Sequence, residues 1–177
     1  MYLTKGQFKG TKIEVPNNVK PTLSKVRESI FDMLLQFDLS DNGFLDMCSG
    51  SGIMGLEAIS RGYRVKQLEI NPKNISIIKK NYSKINLTPD IILVDCLKYK
   101  TEEKYSIIYL DPPWDMDYKP FIKKAFELLN NDGVIFVEHD KTRKLAIEKI
   151  LNENNIKLKI FKSKKYGRCL IDVLLNG

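Results

Sequence analysis

The chain has 177 residues, 43% of them hydrophobic and 29% charged, with a formal net charge of +7. That length suits one domain with a single core; no apolar run reaches about 18 residues and no apolar segment follows Met1, which excludes a membrane-spanning helix and an export signal and predicts a soluble, cytoplasmic protein. Three cysteines (Cys48, Cys96, Cys169) and one histidine (His139), with no C-x-x-C pair, exclude a disulfide framework and give no metal site to expect.

The positive charge sits at the two ends. Residues 1–27 carry a net +5 and residues 154–171 a net +6, leaving −4 for the rest. Two basic terminal segments around a neutral-to-acidic body fit the binding of a polyanion. Lysine is also abundant throughout, so scattered solvated charge accounts for part of the excess.

In chain order, Tyr2–Phe8 and Thr11–Val15 flank Lys9-Gly10 as a hairpin, followed by Pro16, Pro21 and a helix over Ser24–Phe37. In that helix Val26, Ile30, Met33, Leu34 and Phe37 share one face. From residue 44 to 138 short apolar runs alternate with helical periodicity. Strands are predicted at Phe44–Met47, Val65–Ile70, Ile91–Val94, Tyr105–Leu110 and Val134–Val137, and helices at Ile53–Arg61, Pro72–Ile85 and Tyr118–Leu129, the last stopped by Asn131-Asp132-Gly133. This is an α/β pattern with a doubly wound parallel sheet. A helix over Thr142–Leu151 then precedes two runs, Ile156–Phe161 and Cys169–Leu175, joined by the basic turn Lys164–Gly167 as an antiparallel hairpin at the sheet edge.

The first strand runs into Met47-Cys48-Ser49-Gly50-Ser51-Gly52-Ile53-Met54-Gly55 and the second ends at Glu69. A tight turn, a helix N-terminus and a carboxylate for two ribose hydroxyls would serve any adenosine-carrying cofactor, NAD included. Asp46, at the end of the first strand, shifts the balance. A carboxylate there repels a pyrophosphate but suits an ammonium, which favours an amino-acid cofactor such as S-adenosylmethionine. Asp95, closing the third strand, reads equally as an acceptor for an adenine amine and as a helix cap.

The fourth strand ends in Asp111-Pro112-Pro113-Trp114, which includes the only tryptophan. Two prolines remove two backbone donors, so the Asp111 carboxylate and the Asp111 and Pro112 carbonyls form a cluster of acceptors that matches an exocyclic amine. Trp114 offers a face for a base to stack on. Such acceptors localise the amine's lone pair, and Asp111 stabilises the positive charge that develops on nitrogen as it takes a methyl group from a sulfonium. A proline-stiffened turn with a core tryptophan is the structural alternative. His139 reads as a surface or supporting residue, since methyl transfer needs no base before the bond forms.

Over nearly its whole length the chain resembles the bacterial 16S ribosomal RNA guanine-N2 methyltransferases of the RsmD type. The likeness rests on Lys5-Gly6-Gln7-Phe8-Lys9-Gly10, Val15-Pro16, Pro21-Thr22, Val26-Arg27-Glu28-Ser29-Ile30-Phe31, the glycine segment with Ser60-Arg61-Gly62 and Glu69, the Asp111–Trp114 tetrad and Tyr166-Gly167-Arg168. It implies a seven-stranded, Rossmann-like class I methyltransferase sheet, mostly parallel with an antiparallel final strand. The whole would be one domain over 1–177, with an RNA-facing hairpin and helix over 1–40 and the catalytic sheet over 41–177. It further implies S-adenosylmethionine held by Asp46, Gly50, Gly52, Glu69 and Asp95, with Ser51, Ile70 and Cys96 on the same surface, and a guanine held by Asp111, Pro112, Pro113 and Trp114. Thr22 and Arg27 would border the site, and Lys9, Lys12, Lys165 and Arg168 would meet ribosomal RNA or the small ribosomal subunit, with no membrane, no metal and a monomeric enzyme. Lys20 stands where arginine is usual before Pro-Thr, Ser24 replaces an acid, and Cys48-Ser49 replace a Phe-Ala pair. Asp115 and Asp117 add negative charge where RNA should approach. An adenine-N6 DNA methyltransferase, an NAD-dependent oxidoreductase and a non-catalytic RNA-binding protein are the competing readings.

Overall fold

The structure, a computed structural model, describes residues 1–17, 19–154 and 156–177, of which 143–145 by their backbone only. Uninterrupted apolar runs become the inner strands: β1 (Gly43–Asp46) and β4 (Tyr105–Leu110) are buried along their whole length, as strands covered on both faces must be. β2 (Arg64–Glu69) and β3 (Ile91–Leu93) extend the sheet on one side of β1, and β5 (Leu129–Asp140) extends it beyond β4, all in parallel. β6 (Leu158–Tyr166) and β7 (Cys169–Asn176) are antiparallel, and β7 lies between β5 and β6, giving the order β3-β2-β1-β4-β5-β7-β6.

Side chains alternate between two layers, as the pleat requires. Ile107, Tyr109, Phe136 and Val173 face α1 (Ser24–Leu34), α2 (Ile53–Ser60) and α3 (Pro72–Ser83); Ile108, Leu110, Ile135 and Leu174 face α4 (Lys119–Leu128) and α5 (Lys144–Glu153). α3 begins on Pro72, with the Lys73 amide donating to Asn71 Oδ1 at 3.0 Å, a capped start with proline in its favoured place. α1 stops at Leu34, so Phe37 leaves the helical face and meets Phe161 of β6, ring centroids 5.6 Å apart.

Two local expectations fail. The N-terminal hairpin is shorter than expected: Tyr2 bridges Lys12, with Leu3 N donating to Thr11 O at 3.1 Å and Ile13 N to Met1 O at 2.8 Å, and the reversal is a wide loop over residues 5–10 with Gly6 and Gly10 at φ +86° and +85°. Beyond Leu3 the backbone donors of Thr4, Gln7 and Phe8 turn to α2 instead of the facing arm. Gln7 N donates to Ser60 O at 2.7 Å, and a Cβ on Gly6 would stand 1.9 Å from that carbonyl oxygen. α4 does stop at Leu128, but Asn131-Asp132-Gly133, expected as the turn after it, lies inside β5: Tyr105 and Ile107 pair with Leu129 and Val134, so residues 130–133 form a bulge rather than a separate loop.

Candidate active site

β1 and β4 are neighbours whose chains depart in opposite directions, towards β2 and β5, which opens a crevice at their carboxyl ends. The glycine turn and the proline corner both empty into it. Asp46 lies in register with Tyr109, and Met47 N donates to Tyr109 O at 3.0 Å. The sequence-level requirement that these two corners adjoin is therefore met.

Gly50 and Gly52 take left-handed conformations, φ +51° and +72°, and a Cβ on Gly52 would come within 2.7 Å of Ile78. Only glycine fits such a turn cheaply. Gly50 N and Asn71 N donate to the two oxygens of Glu69, at 2.6 and 2.7 Å, so the acid at the end of β2 holds the loop in place. Asp46 is 1% exposed; its Oδ2 accepts from Gln67 Nε2 at 3.0 Å, whereas its Oδ1 is buried with no partner. Burial pushes the Asp46 carboxyl up to about 7 despite the Gln67 hydrogen bond. An unsatisfied buried acceptor costs about 1–3 kcal/mol, and an ammonium donor would remove that cost. Asp95 Oδ1 accepts from Leu97 N at 3.0 Å, so the capping reading holds, with the second oxygen left for a ligand. Ser51 is buried beneath the turn, and Cys96 is buried with its Sγ 3.9 Å from that of Cys48. Ile70 and Leu93, 67% and 56% exposed, form an apolar rim at the ends of β2 and β3. Leu93 escaped the sequence reading because its strand shows no clear alternation.

At the second corner Trp114 is half-buried against the α1-side core, and its Nε1 donates to Asp111 Oδ1 at 3.3 Å. Lys20 Nζ stands 5.0 Å from the indole centroid, an exposed cation–π contact worth about 0.5–1 kcal/mol. Pro113 is exposed; Pro112 is buried, and its carbonyl, expected to be free, lies within hydrogen-bonding distance of Tyr118 Oη, 3.3 Å away. Extending the β4–β5 register by one residue sets Glu138 beside Asp111. Glu138 Oε2 accepts from Tyr109 Oη at 2.6 Å, Oε1 accepts from Cys169 Sγ at 3.4 Å, and Thr22 Oγ1 lies 2.9 Å from Tyr109 Oη. Burial, reinforced by the charge of Glu138, pushes the Asp111 carboxyl well above the usual carboxylate range; burial also raises Glu138. Glu138 and Tyr109 were missed as site residues. The signal was present, because each of the five parallel strands β1–β5 carries an acid at or within two residues of its carboxyl end: Asp46, Glu69, Asp95, Asp111 and Glu138.

Thr22 reaches that corner through Tyr109. Arg27 does not: it is fully buried, ion-paired to Glu57 at 3.0 Å, and all five of its N–H donors find acceptors inside the protein, so it presents nothing to RNA. Lys9 and Lys12 are exposed, but beside the ends of α2 and α3 farthest from the crevice. Lys165 and Arg168 lie at the site end, because the β6–β7 turn meets the carboxyl end of β5, where Arg168 pairs with Asp140 at 2.8 Å. There a groove of about 470 Å³ is lined by Leu23, Lys25, Lys164, Lys165 and Tyr166. His139 is an interior residue rather than a surface one. Its Nε2 lies 2.7 Å from Asp172 Oδ2, on the face opposite Glu138. Asp117 Oδ1 accepts from Lys119 N at 3.0 Å just before α4; nothing in the structure explains Asp115.

A parallel sheet with the last strand inserted antiparallel, and both corners at its switch point, is the fold of the class I methyltransferases. Solved structures share the architecture. A hypothetical protein of Thermus thermophilus superposes with a TM-score of 0.78 at 20% identity, covering 100% of this chain and 99% of that one. An S-adenosylmethionine-dependent methyltransferase of Clostridium acetobutylicum superposes with 0.74 at 13% identity, covering 89% and 94%.

The chain belongs to the family described as Conserved hypothetical protein 95, the RsmD type, whose profile matches residues 1–174. The relative from Buchnera aphidicola subsp. Acyrthosiphon pisum named "Ribosomal RNA small subunit methyltransferase D" is 33% identical over 162 residues, 84% of this chain and 83% of its own.

Proposed function

We propose that this protein transfers a methyl group from S-adenosylmethionine to the exocyclic N2 amine of a guanine in small-subunit (16S) ribosomal RNA. The observation that carries the proposal is the pairing, in one crevice, of an unpartnered buried carboxylate oxygen on Asp46 with the Asp111–Trp114 corner. The residues fit the cofactor: Asp46 Oδ1 would accept from its ammonium, Glu69 from its ribose hydroxyls, Asp95 Oδ2 from its adenine amine, and Ile70 would flank the adenine ring. Ser51 and Cys96 would line the same surface, with Gly50 and Gly52 allowing close approach. When bound, the cofactor supplies an electrophilic methyl group on a sulfonium.

The protein's own part is to orient and stabilise. Stacking on Trp114 contributes about 1–3 kcal/mol per base and is most effective where the RNA is already unpaired. Asp111 accepts from the amine and stabilises positive charge on its nitrogen. Pro112 and Pro113 hold that carboxylate without competing backbone donors, and Trp114 Nε1 orients it by donating to Oδ1. Lys165 and Arg168 would meet the phosphates. The cytoplasm is the compartment in which such a substrate is found, and a monomer is sufficient because both corners come from one chain.

Labelled cofactor incubated with small-subunit RNA, with duplex DNA and with neither, followed by nucleoside mass spectrometry, tests the reading. N2-methylguanosine from RNA is the expected product. Label confined to N6-methyladenine in DNA would replace the substrate assignment, since this corner suits any exocyclic amine. Calorimetric preference for NAD over S-adenosylmethionine would overturn the cofactor.

A further inference from the structure

Val19, Lys20 and Thr22, from the segment before α1, touch the crevice at three points. Val19 Cγ1 lies 3.0 Å from where a Cβ on Gly50 would be, Lys20 Nζ lies over the Trp114 ring, and Thr22 meets Tyr109. Lys20 is exposed and, among the described residues, makes no salt bridge within 4.0 Å. Its charge nevertheless acts on Asp111, Glu138 and Cys169. The indole face on which a base must stack is thus shared with an exposed cation, and base stacking is the stronger of the two contacts.

We infer that Lys20 is the positioning cation of the substrate corner: in the free protein its ammonium shields the Trp114 face and faces the Asp111–Glu138 pair, and the incoming base displaces it from the ring while it stays near the carboxylates. The inference rests on the proposal that Asp111 and Trp114 hold the base. Asp111 lies amid Glu138 of β5, Asp46 of β1, Tyr109 of β4 and Cys48 of the glycine turn, with Cys169 of β7 beyond Glu138. None of these supplies a positive charge. Beside the Trp114 hydrogen bond, Lys20 is the positive charge that counters the burial and the like charge that favour a protonated, and so weaker, acceptor.

Trp114 is the only tryptophan, so its fluorescence reports this corner directly. Lys20→Met, Lys20→Gln and Lys20→Arg are compared with the parent for emission, with and without a single-stranded RNA oligonucleotide containing one guanine, and for the pH profile of kcat/KM. In the two neutral variants the free-protein emission shifts, and kcat/KM falls about tenfold at pH 6.5 but about twofold or less at pH 9, because the acid limb moves upward. Arginine restores the parental profile. Unchanged emission and an unmoved acid limb in both neutral variants would overturn the role of Lys20. Asp111→Asn, assayed alongside, separates the two failures: if it is inactive while the Lys20 variants are normal, only this inference falls; if it is fully active, the site assignment itself falls.

Discussion

Two groups of buried charge lie on the same side of the sheet, and they are built differently. Around Arg27, every donor and acceptor is matched: Glu57 takes Arg27 Nε and Thr4 N on one oxygen, and Thr4 Oγ1 and Arg61 on the other. Around Asp111, three acids, Asp46, Asp111 and Glu138, gather with no buried cation among them, and one oxygen of Asp46 has no partner at all among the described residues. The matched group ties the N-terminal loop to α1 and α2 and leaves nothing over for a ligand. The unmatched group sits at the switch point and carries the perturbed proton affinities that mark working sites. Buried charge alone does not identify a site; buried charge lacking partners does.

The widest separation between the groups should come from substitutions that remove one member of each. Arg27→Met leaves Glu57 buried beside Arg61 alone and should cost about 3–5 kcal/mol of stability, read by urea denaturation, while any protein still folded keeps the methyl-transfer pH profile of the parent. Asp111→Asn should do the reverse: activity falls about 10²–10³-fold, with the melting temperature unchanged or raised, because a half-buried carboxyl beside the like charge of Glu138 has gone. If Arg27→Met altered the profile without loss of stability, the two groups would not be separable.

A finer contrast lies in pH. Asp46 binds its proton more tightly folded, about 7, than at its ordinary 3.8. A raised acid of this kind favours the folded state fully below about pH 4, and that contribution is lost as the pH rises to about 7. Asp111 and Glu138 shift in the same direction, so the comparison that isolates Asp46 is the parent against Asp46→Asn. The variant should show a shallower fall in melting temperature between pH 4 and 7. Cofactor binding should strengthen through the same window in the parent only, because an ammonium pairs with the ionised form. Parallel melting curves for the two proteins would contradict this.

Much of the site was legible because its signals are local. A glycine turn after an apolar strand and an Asp-Pro-Pro-Trp corner after another declare their own backbone constraints, and strand order does the rest. Arg27 was misread because its motif lies next to Thr22, which does reach the site, while sequence spacing is silent about which way a helical side chain turns. Arg27 turns inward, to Glu57, thirty residues away. Glu138 was missed for a related reason: its meaning depends on β4–β5 register, a non-local fact. The hairpin expected to turn at Lys9-Gly10 opens into a wider loop because Ser60 of α2 claims the backbone of Gln7 and Phe8, a competitor that alternation in residues 2–15 cannot reveal.

That last error bears on RNA binding, and it gives the smallest effect worth measuring. Two basic termini suggest a symmetric clamp, but the fold divides them. Lys165 and Arg168 border the crevice together with Lys20 and Lys25, whereas Lys9 lies at the end of α2 away from the glycine turn, about 12 Å along an eight-residue helix. A phosphate contact contributes about one unit to the slope of log K against log salt. Lys165→Ala should therefore weaken binding of a small-subunit RNA fragment a few-fold at low salt and reduce that slope by about one, while Lys9→Ala leaves both unchanged. Equal effects from the two would mean that the RNA wraps past the end of α2, and that the basic loop docked there belongs to the binding surface after all.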